Sequence, residues 1–221
     1  MSRIIAIDGP AGSGKSTVAR ALAARLALPY LDTGAMYRAV AFAALRLGID
    51  PDDAAAVGRL ATNITIEVGQ RVIVDGVDAT IEIRGPEVTQ AVSTVAANPE
   101  VRRELRRRQQ EWALAHGGGV VEGRDIGTVV FPEAELKVFL TAAGDERARR
   151  RYQEATDLNY EPASAALAIE GVAAELARRD HADSTRAASP LAIADGALVI
   201  DTTDRPVDEI VDELLCRLQP G

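Results

Sequence analysis

Gly9-Pro10-Ala11-Gly12-Ser13-Gly14-Lys15-Ser16 lies between a short apolar run, residues 3–8, and a stretch with helical apolar spacing, residues 15–27. A glycine-rich loop ending in Lys-Ser between a strand and a helix turns backbone N–H groups toward phosphate oxygens, and the helix N-terminus adds partial positive charge. In that arrangement Lys15 reaches the β- and γ-phosphates of a nucleotide, and the Ser16 hydroxyl suits Mg²⁺. The chain supports the assignment in another way. Of its 25 basic residues only Lys15 and Lys137 are lysine, so a compact ammonium after the glycines is an exception to an arginine-rich composition. The motif makes Gly9, Pro10, Ala11, Gly12, Ser13, Gly14, Lys15, Ser16 and the next residue, Thr17, the candidate ATP-binding set. It does not say what the nucleotide is used for.

The pattern of elements bounds the fold. Residues 28–31 form a second short apolar run before Asp32-Thr33-Gly34 and a helical stretch, residues 35–47. This strand–helix alternation predicts an α/β chain with a parallel sheet flanked by helices, of the P-loop NTPase type. Residues 64–68 and 72–74 are β-branched and separated by Gly69-Gln70, which predicts a small antiparallel insertion. Pro99 opens a long polar helix to about residue 116, and Gly117-Gly118-Gly119 breaks it before a strand at 120–122. A strand at 136–140, an arginine-rich helix at 145–155, a helix at 163–178, a strand at 197–201 and a closing helix at 206–218 complete the reading. A chain of 221 residues fits one globular body carrying an insertion.

Composition excludes other classes. A net charge of −8 opposes a nucleic-acid or anionic-membrane partner, and the arginine run 102–108 is interrupted by Glu104 and lacks stacking aromatics. The single cysteine, Cys216, and a start without a long apolar segment suit a reducing cytoplasm. His116 and His181 fall in no catalytic or metal-binding pattern, and nothing marks an exposed apolar stripe, so the expectation is a monomer.

Asp32-Thr33-Gly34-Ala35-Met36-Tyr37-Arg38 and Glu122-Gly123-Arg124-Asp125-Ile126-Gly127-Thr128-Val129-Val130-Phe131-Pro132, with the phosphate loop, resemble bacterial cytidylate kinases. Residues 93–102 and Arg179-Asp180-His181-Ala182-Asp183-Ser184-Thr185-Arg186 agree with that family. The resemblance covers essentially the whole chain. It implies transfer of the γ-phosphate of ATP to CMP or dCMP with Mg²⁺, and a β-rich monophosphate-binding insertion at about 51–94. A helical lid at about 146–189 and a core at about 1–50, 95–145 and 190–221 complete the implied division. It further implies that Ser93, Arg102 and Asp125 hold the cytosine, that Asp183 holds the sugar and that Thr33 sits near the acceptor.

The residue chemistry is consistent with those roles. Arg38, Arg124 and Arg186 can converge on one dianionic phosphate, and Lys15, Arg124 and Arg186 are the expected catalytic groups. Cytosine presents acceptors at O2 and N3 and a donor at N4, matching an arginine with carboxylate and hydroxyl partners, so CMP should be preferred to UMP. Asp125 has an alternative as the structural partner of Arg124. Glu122 ends an apolar strand where an acid serves Mg²⁺ directly or through water; an ion pair with a nearby arginine is the alternative. Arg147, Arg150 and Arg151 share a helix face, and either Arg147 and Arg151 swing onto ATP phosphates with the lid or the face is simply solvated. No general base is required, because the acceptor phosphate is already anionic. The other readings are a kinase for UMP or another small acceptor, and a P-loop switch that binds ATP without acceptor-dependent turnover.

Overall fold

The computed structural model describes residues 3–157 and 165–218. Its centre is a five-stranded, all-parallel sheet. The strands are β1 (Arg3–Asp8), β2 (Tyr30–Asp32), β6 (Gly118–Gly123), β7 (Leu136–Thr141) and β8 (Leu198–Asp201), in spatial order β2-β6-β1-β7-β8. The chain crosses outward from β1 to β2, and β6 later inserts between them. The next crossover, from β6 to β7, runs to the other side of β1. This reversal opens a crevice at the carboxyl ends of the strands, where open α/β sheets bind ligands. Asp8, Asp32 and Glu122 all lie at that edge, since Asp8 is level with Gly123 and Asp32 with Glu122.

Side chains alternate across the sheet and divide the core. Ile5, Ile7, Val120, Val138 and Leu140 pack with α1 (Lys15–Leu26) and α8 (Val207–Leu218). Ala6, Leu31 and Val121 face α2 (Thr33–Arg46) and α5 (Pro99–His116). Ile210, Val211 and Leu214 of α8 are almost completely buried, as the spacing of its apolar residues requires. Gly118 lies in the strand; it does not serve as a break. Its φ is +118°, and a Cβ there would sit 2.3 Å from the Arg3 carbonyl oxygen, so β6 can approach β1 only with glycine.

The insertion is more helical than its β-branched runs imply. The short meander β3 (Ile66–Val68), β4 (Val72–Val74) and β5 (Val77–Asp78) is antiparallel, as expected. It is flanked by α3 (Ala54–Asn63) and α4 (Pro86–Ala97), which the sequence reading lacks. Asp53 caps α3 through the Ala56 N–H at 2.9 Å, and Val57, Leu60, Val88, Val92 and Val95 join the same apolar cluster as α2 and α5. The region is therefore continuous with the core. Two more helices, α6 (Gly144–Asp157) and α7 (Ala165–Thr185), pack on each other. The expected helix 163–178 extends to Thr185, which puts Arg179 and Asp183 on one helix; its first two residues, and residues 158–162 of the expected lid, lie outside the described residues.

Candidate active site

The phosphate loop is built as its sequence demands. Gly9 has φ +148°, and a Cβ would meet the Leu140 carbonyl oxygen at 2.0 Å. The loop is tied down by Ser13 Oγ donating to the Pro10 carbonyl (3.0 Å) and Thr202 Oγ1 donating to the Ser13 carbonyl (3.1 Å). Lys15 Nζ donates to the Pro10 carbonyl at 2.5 Å, so the ammonium lies over its own loop. Burial, then the nearby Arg124, push the Lys15 pKa down to about 7, with Glu122 opposing. Thr17 is exposed on the first turn of α1.

Glu122 is buried at the end of β6, and its two carboxylate oxygens are divided between hydroxyls. Ser16 Oγ donates to Oε2 at 3.0 Å and Tyr30 Oη donates to Oε1. Among the described residues no arginine pairs with it, so the ion-pair alternative is not realised. Burial and the neighbouring Asp32 push the Glu122 pKa up. Thr33 Oγ1 donates to the Glu122 carbonyl at 2.7 Å. Asp32 caps α2 through the Ala35 N–H and receives Arg38 Nη2, both at 2.9 Å.

One side of the cleft carries a set of arginines, Arg102 buried and the others partly buried, each held by a carboxylate. Arg102 on α5 pairs with Asp125, both side chains only 7% exposed, donates to the Ala96 carbonyl at 3.1 Å, and lies 5.4 Å from the Tyr37 ring centroid. Asp125 is therefore the partner of Arg102. Arg124 pairs instead with Asp183 at 2.9 Å, and Arg186 reaches the other oxygen of Asp183 at 3.2 Å and the Ser189 carbonyl at 2.7 Å. Arg38 Nε, Arg102 Nε and Arg186 Nη2 are buried donors with no partner among the described residues. These nitrogens are shielded from solvent, as is Arg147 Nε, so a ligand in the cleft would meet the outer nitrogens of the guanidiniums first.

Lys15, Ser16, Thr33, Arg38, Arg102, Glu122, Arg124, Asp125, Arg151, Asp183 and Arg186 all line this cleft. Ser93 does not; it opens onto a neighbouring groove with Arg178 and Ala182, joined to the main cleft through Arg179. The α6 arginines part company. Arg147 donates to the Ala11 carbonyl at 3.1 Å and pairs with Asp180, Arg151 pairs with Glu154 at 2.8 Å, and Arg150 turns away to the Thr202 carbonyl at 2.7 Å.

Sequence reasoning missed Asp8, Tyr30 and Arg179. Asp8 accepts the N–H groups of Ile126 and Gly127 at 2.8 and 2.7 Å and so fixes the turn that carries Arg124 and Asp125. Arg179 lines the cleft, and burial and Arg124 lower its pKa. Its place in the family-like stretch 179–186 was the only signal available for it.

The cytidylate kinase family model matches residues 5–219. The chain belongs to the cytidylate kinase family. The cytidylate kinase of Mycobacterium avium is 50% identical, with 96% of this chain and 92% of that one covered. That of Pelotomaculum thermopropionicum is 49% identical, covering 98% and 96%. Among solved structures, an uncharacterized protein from Eubacterium ventriosum aligns over 99% of this chain and 98% of its own at 15% identity, with a TM-score of 0.51. That likeness speaks for the fold alone. Among the described residues of this family member, no helix is long and apolar enough to cross a membrane.

Proposed function

We propose that the cleft transfers the γ-phosphoryl group of ATP to CMP or dCMP, giving ADP and CDP or dCDP. Membership of the family supports the reaction, and the observation that carries the acceptor is the buried Arg102–Asp125 pair in the wall of the cleft. A guanidinium donor beside a carboxylate acceptor matches the O2/N3 and N4 edge of cytosine; uracil would leave a buried group unpaired, at a cost of about 1–3 kcal/mol. Ser93 is the expected third base ligand, and its neighbouring groove means that it reaches the base only with a shift of α4.

The remaining residues divide the phosphates between them. Arg38, Arg124 and Arg186 clamp the acceptor phosphate, Arg179 adds charge between the two nucleotides, and Asp183 orients two of these guanidiniums and takes a sugar hydroxyl. The loop 9–17, with Lys15, cradles the ATP phosphates, while Arg147 and Arg151 on α6 cover them as a lid. Phosphoryl transfer through a loose transition state then needs alignment and charge neutralisation, and the acceptor oxygen attacks without a base.

Mg²⁺ fits the Ser16 hydroxyl and the Glu122 carboxylate, hard oxygen donors 3.0 Å apart at the loop's end. When bound there it neutralises phosphate charge. Small-molecule partners, a cytoplasmic setting and a monomer complete the proposal, supported by the net charge of −8 and a single, exposed cysteine.

Calorimetric titration of CMP and UMP into the wild type and Arg102→Leu tests the base reading. CMP should bind about tenfold or more tighter than UMP, and the variant should lose that difference; equal affinities in the wild type would refute it.

A further inference from the structure

Glu122 carries one methylene more than an aspartate, and therefore one more torsion to fix before its carboxylate can serve a cation. The structure fixes both oxygens. Ser16 Oγ, from α1, donates to Oε2 at 3.0 Å, and Tyr30 Oη, from β2, donates to Oε1. The sheet register explains why Tyr30 can reach. Tyr30 is level with Val120 on β6, and Val120 and Glu122 project from the same face, so Tyr30 is the diagonal neighbour of Glu122. Tyr30 is itself held, its ring 5.3 Å from the Arg20 guanidinium carbon and packed against the α1/α8 side of the core. An ionised carboxylate accepts from several donors at once, so Tyr30 leaves Oε2 and the outer lone pairs available on the Ser16 side.

We propose that Tyr30 is a positioning residue for the magnesium site, holding the Glu122 carboxylate in the orientation from which it and Ser16 serve the cation. This rests on the reading of Ser16 and Glu122 as the cation-holding pair. Tyr30 touches no substrate; it acts through Glu122. An aspartate at 122 ends one carbon short of Tyr30, so the tyrosine matters only when the longer acid is present.

The test is Mn²⁺ binding to the enzyme–ATP complex, with free Mn²⁺ read by electron paramagnetic resonance, for the wild type, Tyr30→Phe, Glu122→Gln, Glu122→Asp and the double variant Tyr30→Phe/Glu122→Asp. Removing a hydrogen-bond partner of a metal-holding group costs about tenfold or more in metal affinity, and that is the loss expected for Tyr30→Phe, with CMP affinity unchanged. Adding Tyr30→Phe to Glu122→Asp should change Mn²⁺ affinity by less than about twofold. If Glu122→Gln weakens Mn²⁺ and Tyr30→Phe does not, the positioning role is overturned alone. An equal loss from Tyr30→Phe in both backgrounds makes Tyr30 merely structural and also overturns it. Wild-type Mn²⁺ affinity in Glu122→Gln overturns the cation reading and the proposal together.

Discussion

Replacing Asp8 by asparagine isolates one buried carboxyl whose cost depends on pH. Asp8 is 4% exposed and accepts two backbone N–H groups, at 2.8 and 2.7 Å. Those donors favour its charged form, yet burial outweighs them and raises its pKa from 3.8 to about 6. Because the pKa is higher in the folded than in the unfolded chain, the carboxyl's favourable contribution is complete below pH 3.8 and is lost as pH rises through 6. At about 1.4 kcal/mol per tenfold change in proton affinity, the loss amounts to about 3 kcal/mol by pH 7.5. The asparagine of Asp8→Asn cannot titrate, and its NH₂ faces one of the two backbone donors, so the variant carries a constant penalty of about 1–3 kcal/mol. Urea unfolding of both proteins from pH 4.5 to 7.5 gives the difference directly. The wild-type advantage should be largest at pH 4.5 and shrink by about 2 kcal/mol by pH 7.5, the first part of the loss falling below pH 4.5. A difference that stays flat, or grows with pH, would refute the argument that burial dominates this carboxyl.

Asp125→Ala should strand the Arg102 guanidinium, lowering stability by about 3–5 kcal/mol and Tm by about 10 °C in thermal unfolding. The double variant Arg102→Leu/Asp125→Ala should regain most of that stability and still bind CMP no better than UMP. Arg38→Ala and Arg186→Ala should each raise the CMP KM about 10- to 100-fold and leave the ATP Kd unchanged, since the proposal assigns them to the acceptor phosphate alone; an equal loss of ATP binding would sink that division of roles. Lys15, with its pKa lowered to about 7, is mostly neutral at pH 8 until ATP phosphates draw a proton onto it. Calorimetry in two buffers of different ionisation heat should show proton uptake on ATP binding at pH 8, little at pH 6, and none from this source in Lys15→Met.

The phosphate loop, the Asp32–Arg38 segment and the Glu122–Asp125 segment were legible because each is a local arrangement: strand end, turn, helix start. Their neighbours explain what was not. Asp8 looks like an ordinary strand end until β6 delivers Ile126 and Gly127 to its oxygens, a contact spanning 118 and 119 residues. Tyr30 reads as an apolar strand residue, and its partner is set by the register of β2 on β6. Arg102 pairing with Asp125, and Arg124 with Asp183, depend on how α5 and α7 cross the sheet edge, which charge spacing does not encode. Helices α3 and α4 did leave signals, Asp53 as a cap and Pro86 at a first turn, but the β-branched runs between them dominated the reading. Ser93 was carried over by motif; α4 turns it toward Arg178 and Arg179.

The most direct test of the account is ADP formation from Mg-ATP with CMP, dCMP, UMP, AMP, GMP or no acceptor. The arginine-lined cleft, with the Arg102–Asp125 ion pair proposed to read the base, predicts turnover that depends on CMP or dCMP, with kcat/KM for UMP about tenfold or more lower. Turnover independent of acceptor, or UMP used as well as CMP, would contradict it.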